Sequence, residues 1–172
     1  MKTAEWKKRQ FRFRKALAGT WLHSFFGNRI FHSKLWRVDL RSVSGGLALG
    51  IFIACTPTFP FQMFLAICGA IMFHVNLPLA LAACWVTNPL TMVPYYAAAW
   101  KLGKSMIDHS ELLQSILEFY PHDEKALRFI RQSINLWSGS LVIAVAASLL
   151  TYVTVRLFWV SIRKLLVHEK SG

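Results

Sequence analysis

Between Ser42 and Trp100 the chain carries no Asp, Glu, Lys or Arg. About 20 apolar residues suffice for a helix to cross a bilayer core of about 30 Å, and a soluble domain this small rarely holds a longer charge-free run. The run therefore predicts a membrane protein, built of helices because lipid offers no partner to exposed backbone groups.

The run is interrupted in two places. Val43–Cys55 is apolar but covers only about 20 Å as helix at 1.5 Å per residue. Thr56-Pro57-Thr58-Phe59-Pro60 follows, where each proline removes a donor and disfavours helix before it. Phe61–Phe73 is a second short arm. Pro78–Trp100 repeats the arrangement: Leu79–Val86, then Thr87-Asn88-Pro89-Leu90-Thr91-Met92-Val93-Pro94, then Tyr95–Trp100 running on to Gly103. Pro57, Pro60, Pro89 and Pro94 are thus expected to shape two breaks, each making a re-entrant hairpin or a bent span. Non-helical backbone at membrane depth is stable only where protein or a water-filled cavity satisfies it, and paired interruptions point to a binding site near the bilayer middle.

Ser42, Gly46, Gly50 and Ala54 recur every four residues, a stripe that lets another helix approach closely at Gly46 and Gly50. Downstream, residues 101–136 carry five charges of each sign, and Glu111–Tyr120 reads as an amphipathic helix ended by Pro121. Asp123 is placed to cap a following one. Trp137 and Trp159 are 22 positions apart, about 33 Å of helix, which places both in interfacial aromatic belts.

Composition sets the scale. The chain has 172 residues, of which 55% are hydrophobic and 16% charged, enough for one small polytopic domain. The net charge of +12 lies beside the apolar block, with eleven Lys/Arg in residues 1–41 and Arg156, Arg163, Lys164 and Lys170 near the end. That placement follows the positive-inside bias and predicts attraction to anionic lipid head groups; nucleic acid is not expected. Phe13, Leu17, Trp21 and Phe25 share one side of a basic amphipathic helix. Cys55, Cys68 and Cys84 lack CxxC spacing, and His23, His32, His74, His109, His122 and His168 show no paired ligand spacing, so neither metal nor cofactor is expected. The first forty residues contain no apolar core of a secretory signal.

These readings divide the chain into a basic interfacial segment (1–41), a membrane domain with two broken segments (42–103), an amphipathic connector (104–136), a transmembrane helix (137–160) and a basic tail (161–172). The expected fold is all-α: a small polytopic membrane protein with a C-terminal transmembrane helix and both termini cytoplasmic.

Arg41-Ser-Val-Ser-Gly-Gly-Leu-Ala-Leu-Gly-Ile-Phe-Ile-Ala-Cys-Thr-Pro57, Phe61-Gln62, Asn76-Leu77-Pro78, Thr87-Asn-Pro-Leu-Thr91, Pro94-Tyr95-Tyr96 and Gly103 follow one another in the order of a known pattern. The chain resembles the bacterial membrane-protein family called domain of unknown function 2062 over most of residues 35–160. The resemblance implies a bacterial inner-membrane location and no particular activity.

Enzyme chemistry is disfavoured, because the apolar block has no carboxylate, Lys or Arg to serve as acid, base or nucleophile partner. The expected function is a carrier, or carrier subunit, for a lipid-like or amphipathic substrate. Gln62, Asn88, Thr87, Thr91 and Thr58 are the expected contacts, with Gln62 and Asn88 foremost. The alternative is a non-transporting accessory or assembly subunit of a larger envelope complex, which the small-residue stripe also suits; a homo-oligomer or a larger membrane complex is the expected kind of partner.

Overall fold

In the computed structural model, residues 32–109 and 124–168 are described; the amphipathic segments expected at 13–25 and 111–120 and the cap expected at Asp123 lie outside them. Among the described residues the fold is all-helical, without strands. A 3-10 helix (Ser33–Trp36) precedes α1 (Leu40–Ala54), α2 (Gln62–Phe73), α3 (Leu77–Cys84), α4 (Pro89–Asp108) and α5 (Glu124–His168).

Each start has a local cause. Asp39 caps α1, its Oδ1 accepting the Ser42 amide at 2.7 Å. Asn76 caps α3 by accepting from the Leu79 amide at 3.0 Å, with Pro78 in the first turn, where its missing N–H costs nothing. α2 ends where His74 takes a left-handed conformation at φ 54°, its amide donating to the Ala70 carbonyl.

α1 and α3 lie side by side in the same direction. The Asn76 amide donates to the Ser42 carbonyl at 3.0 Å near their starts, and Thr87 Oγ1 to the Ala54 carbonyl at 2.9 Å near their ends. Gly46 and Gly50 make this approach possible. A Cβ on Gly46 would fall 2.5 Å from the Asn76 carbonyl oxygen, and one on Gly50 would meet the Ala80 carbonyl and lie 2.5 Å from Ala83 Cβ. The predicted stripe is thus filled by α3 of the same chain. α2 returns between the two ends, bringing Phe73 and His74 to the same cavity as Arg41 and Ser42. The first broken segment is therefore a hairpin, not a bent span. Leu35, Trp36, Ile67, Ala70, Val75, Leu77 and Ala80 form the core at that end, and Ile53, Ala66 and Cys84 at the other.

α3 and α4 meet at 76° across Trp85–Asn88. α5 packs along α4 and α1. At the α4–α5 crossing, backbones touch: a Cβ on Gly103 would overlap the Asn135 carbonyl, and one on Gly139 the Ala99 carbonyl.

Three features differ from expectation. The proposed division at 136/137 falls inside α5, which runs unbroken for 45 residues, about 68 Å at 1.5 Å per residue. Nothing between Glu124 and Trp137 interrupts a helix: there is no Pro or Gly, and Ser133 and Asn135 only weaken it slightly. Its C-terminal end likewise extends into the segment assigned as a tail. Pro94, expected at the second break, lies inside α4. Asn88 and Pro89 start that helix first, so Pro94 deletes only the bond its amide would have made to the Leu90 carbonyl.

Within α5, Lys125–Ser161 is long and apolar enough to cross a membrane, and only 6% of its apolar window is buried. A core helix of a soluble protein would hide such a surface. Leu149, Leu150, Leu157 and Phe158 are all more than half exposed. α3 and α4 reach the same length and composition only when taken together; α1 and α2 are shorter apolar helices.

Candidate functional site

The first break, Cys55–Phe61, strands the carbonyls of the last turn of α1, because no helical amide follows to bond them. Side chains from far along the chain supply the donors. The Ala54 carbonyl accepts from Thr87 Oγ1 at 2.9 Å, Cys55 from the Tyr95 hydroxyl at 2.5 Å and Thr56 from the Tyr96 hydroxyl at 3.3 Å. Locally, Thr56 Oγ1 donates to the Ile53 carbonyl at 2.8 Å and lies 3.3 Å from Thr58 Oγ1. The Thr58 amide donates to Thr56 and the Phe61 amide to Thr58, closing the turn around a cis Phe59–Pro60 peptide.

The second break is closed by its own residues. Asn88 Oδ1 accepts from the Leu90 and Thr91 amides at 2.9 and 3.1 Å. Thr91 Oγ1 accepts from the Asn88 amide at 3.0 Å and donates to the Val86 carbonyl at 2.9 Å. This is a reciprocal capping box with Pro89 at the first helical position.

The two breaks therefore lie together, as their corresponding positions predict. Of the expected contacts, Thr87, Asn88, Thr91 and Thr58 are engaged within the breaks themselves. Gln62, the first residue of α2, differs. It is 7% exposed, and its Oε1 has no hydrogen-bond partner among the described residues. Tyr95 and Tyr96, which staple one break to the other, were not among the expected site residues. The signal was two adjacent phenols just after Pro94 in an otherwise apolar stretch, where a buried hydroxyl needs a partner.

Apolar side chains surround the paired breaks: Phe59, Phe61, Trp85, Val86 and Val93 are each more than half exposed, and Leu90 is 85% exposed. Among the described residues no group of three or more His, Cys, Asp or Glu is placed to hold a metal ion. The polar groups at the site are uncharged hydroxyls and amides, suited to hydrogen bonding and not to proton transfer near neutral pH.

Residues 23–166 match the family model described as an uncharacterised protein conserved in bacteria, domain of unknown function 2062. The chain belongs to that family. Membership spans both breaks, α1 to α4 entire and α5 to within two residues of its end. The earlier resemblance through the Gly, Pro, Gln and Asn positions is thereby established for domain of unknown function 2062. Comparison with curated proteins and with solved structures gives no match.

Proposed function

We propose that this protein is a multi-pass component of the bacterial inner membrane that carries, or helps to carry, a lipid-like or amphipathic substrate past the paired breaks. The supporting observation is Gln62. A buried amide oxygen without a donor costs about 1–3 kcal/mol, and this one opens a helix directly after a break already secured by other side chains. A hydroxyl or amide on a substrate head group that reached it would supply the missing donor, while the apolar residues around the breaks suit the substrate's chains. The Asn88 carboxamide oxygen is committed to its cap, so Gln62 takes the leading role in binding.

In this reading α5 crosses the bilayer completely. The α1–α2 hairpin enters and leaves on the side of Lys34, Arg37 and Arg41, and α3 with α4 makes one broken crossing. An odd number of crossings before α5 then puts both basic termini in the cytoplasm. In the accessory-subunit alternative a partner would have to dock elsewhere than at Gly50, whose face Ala80 and Ala83 occupy.

Native mass spectrometry of the purified protein tests the proposal. Wild type should retain a defined lipid or isoprenoid species that Gln62→Ala loses, while Asn88→Ala keeps it at reduced thermal stability. Only bulk phospholipid on all three would refute the carrier reading.

A further inference from the structure

In α5, Arg156 is the only Asp, Glu, Lys or Arg between Arg131 and Arg163, and it is exposed five residues before the end of the stretch long and apolar enough to cross a membrane. Its guanidinium is turned back along the helix. Nη1 donates to the Tyr152 hydroxyl at 2.9 Å, and the guanidinium carbon lies 5.2 Å from the centre of the Tyr152 ring. A cationic side chain near the end of a span ordinarily reaches outward to water and head groups. Here the hydrogen bond and the ring face hold the charge one turn nearer the middle of the helix.

No acid among the described residues pairs with it. The sequence has no Asp or Glu between Glu124 and Glu169, and α1, which packs on α5, has none either. Asp108 is the only acid of α4, and it lies beyond Gly103, which meets Asn135, 21 positions before Arg156. Asp39 is taken by Arg37 at 2.8 Å. An unpaired charge in apolar surroundings is far costlier than a neutral polar group, so this one calls for an anion from outside the chain.

The pair offers more than charge. A guanidinium carries five N–H donors in a planar fork, and Tyr152 takes one of them. The Tyr152 hydroxyl accepts that bond and keeps its own proton to donate. Leu149, Val153 and Val160 share the Arg156 side of α5, at spacings of seven, three and four residues, and are 60%, 49% and 45% exposed. Donors that suit a phosphate thus lie directly beside an uncovered apolar strip.

We propose that Arg156 and Tyr152 bind the phosphate of one anionic phospholipid, whose acyl chains lie along Val153 and Leu149 toward the middle of α5. Arg156 gives two parallel N–H bonds to the phosphate, and Tyr152 Oη adds a third bond. The charge selects the head group, and the apolar strip selects a ligand with chains, which a free phosphate lacks. This site rests on α5 crossing the bilayer and not on any role of the breaks in carrying a substrate.

The test uses the full chain, delipidated in neutral detergent. Native mass spectrometry measures retention of dioleoyl phosphatidylglycerol against dioleoylglycerol, which has the same chains and no phosphate. Wild type should prefer phosphatidylglycerol, and Arg156→Gln should lose about tenfold in affinity for it. Tyr152→Phe, which keeps the ring and removes the hydroxyl, should lose about threefold. Lys101→Gln, with the same change in net charge on α4, should bind as wild type. Equal losses in Arg156→Gln and Lys101→Gln would reduce the attraction to diffuse charge and overturn the proposal, as would unchanged binding in Tyr152→Phe or displacement of the lipid by inorganic phosphate. Carbonate extraction from phosphatidylglycerol liposomes checks the crossing separately. Release of the protein overturns the crossing and the site with it, whereas a protein that stays in the vesicles while Arg156→Gln binds as wild type overturns the site alone.

Discussion

The two breaks of the apolar block solve one problem in opposite ways. Trp85–Asn88 is short, and the capping box of Asn88 and Thr91 closes it with groups no more than five residues apart. Cys55–Phe61 is longer and has two prolines, and the carbonyls leading into it are satisfied from 33 to 40 residues away. A break that caps itself can form as soon as its own helix nucleates. One that borrows its donors forms only when the surrounding helices have assembled, so its integrity reports on the tertiary fold.

The strongest way to break this comparison is Gly50→Leu. The side chain would occupy the space of the Ala80 carbonyl and Ala83, separating α1 from α3 and with them the two breaks. The loss should exceed about 3 kcal/mol, the scale of severe overpacking, and the variant should fail to give a monodisperse folded species on size exclusion.

Tyr95→Phe addresses the borrowed donors alone. It leaves the Cys55 carbonyl without its hydroxyl in an apolar setting and should cost about 2 kcal/mol in an unfolding titration followed by circular dichroism. Coupling sharpens the point: Tyr95→Phe and Thr87→Val should be non-additive, because both tie the second segment to the end of α1. Asn88→Ala should have the smallest effect, about 1 kcal/mol for a lost N-cap, and should be additive with Tyr95→Phe. A larger loss for Asn88→Ala than for Tyr95→Phe would reverse the assignment of which break depends on the fold.

The same contrast explains what could be read in advance. Asn88-Pro89 is a cap followed by a first-turn proline, and Pro57-Thr58-Phe59-Pro60 forbids continuous helix, so both interruptions were visible in the residues themselves. Gly46 and Gly50 announced a close helix approach. Pro94 was misplaced because a proline's effect depends on where the helix around it begins, and the Asn88 cap sets that start five residues earlier. The length of α5 was missed because polar residues at Glu124–Gln132 resemble a separate surface helix, although nothing there stops one. Gly103 and Gly139 were each visible as glycines, but their contact across the α4–α5 crossing joins segments separated by a connector whose path the residues do not specify.

By itself the sequence determined the all-helical class and the places where the apolar block breaks, since apolar length and proline act locally along the chain. Only the tertiary structure decided which polar groups remain available. It showed Thr87, Tyr95 and Tyr96 spent on the backbone of another segment, and left Gln62 Oε1 beside the breaks buried without a hydrogen-bond partner among the described residues. Hydrogen-bond satisfaction depends on which atoms come within about 3 Å of one another, and that is fixed only when the helices have packed.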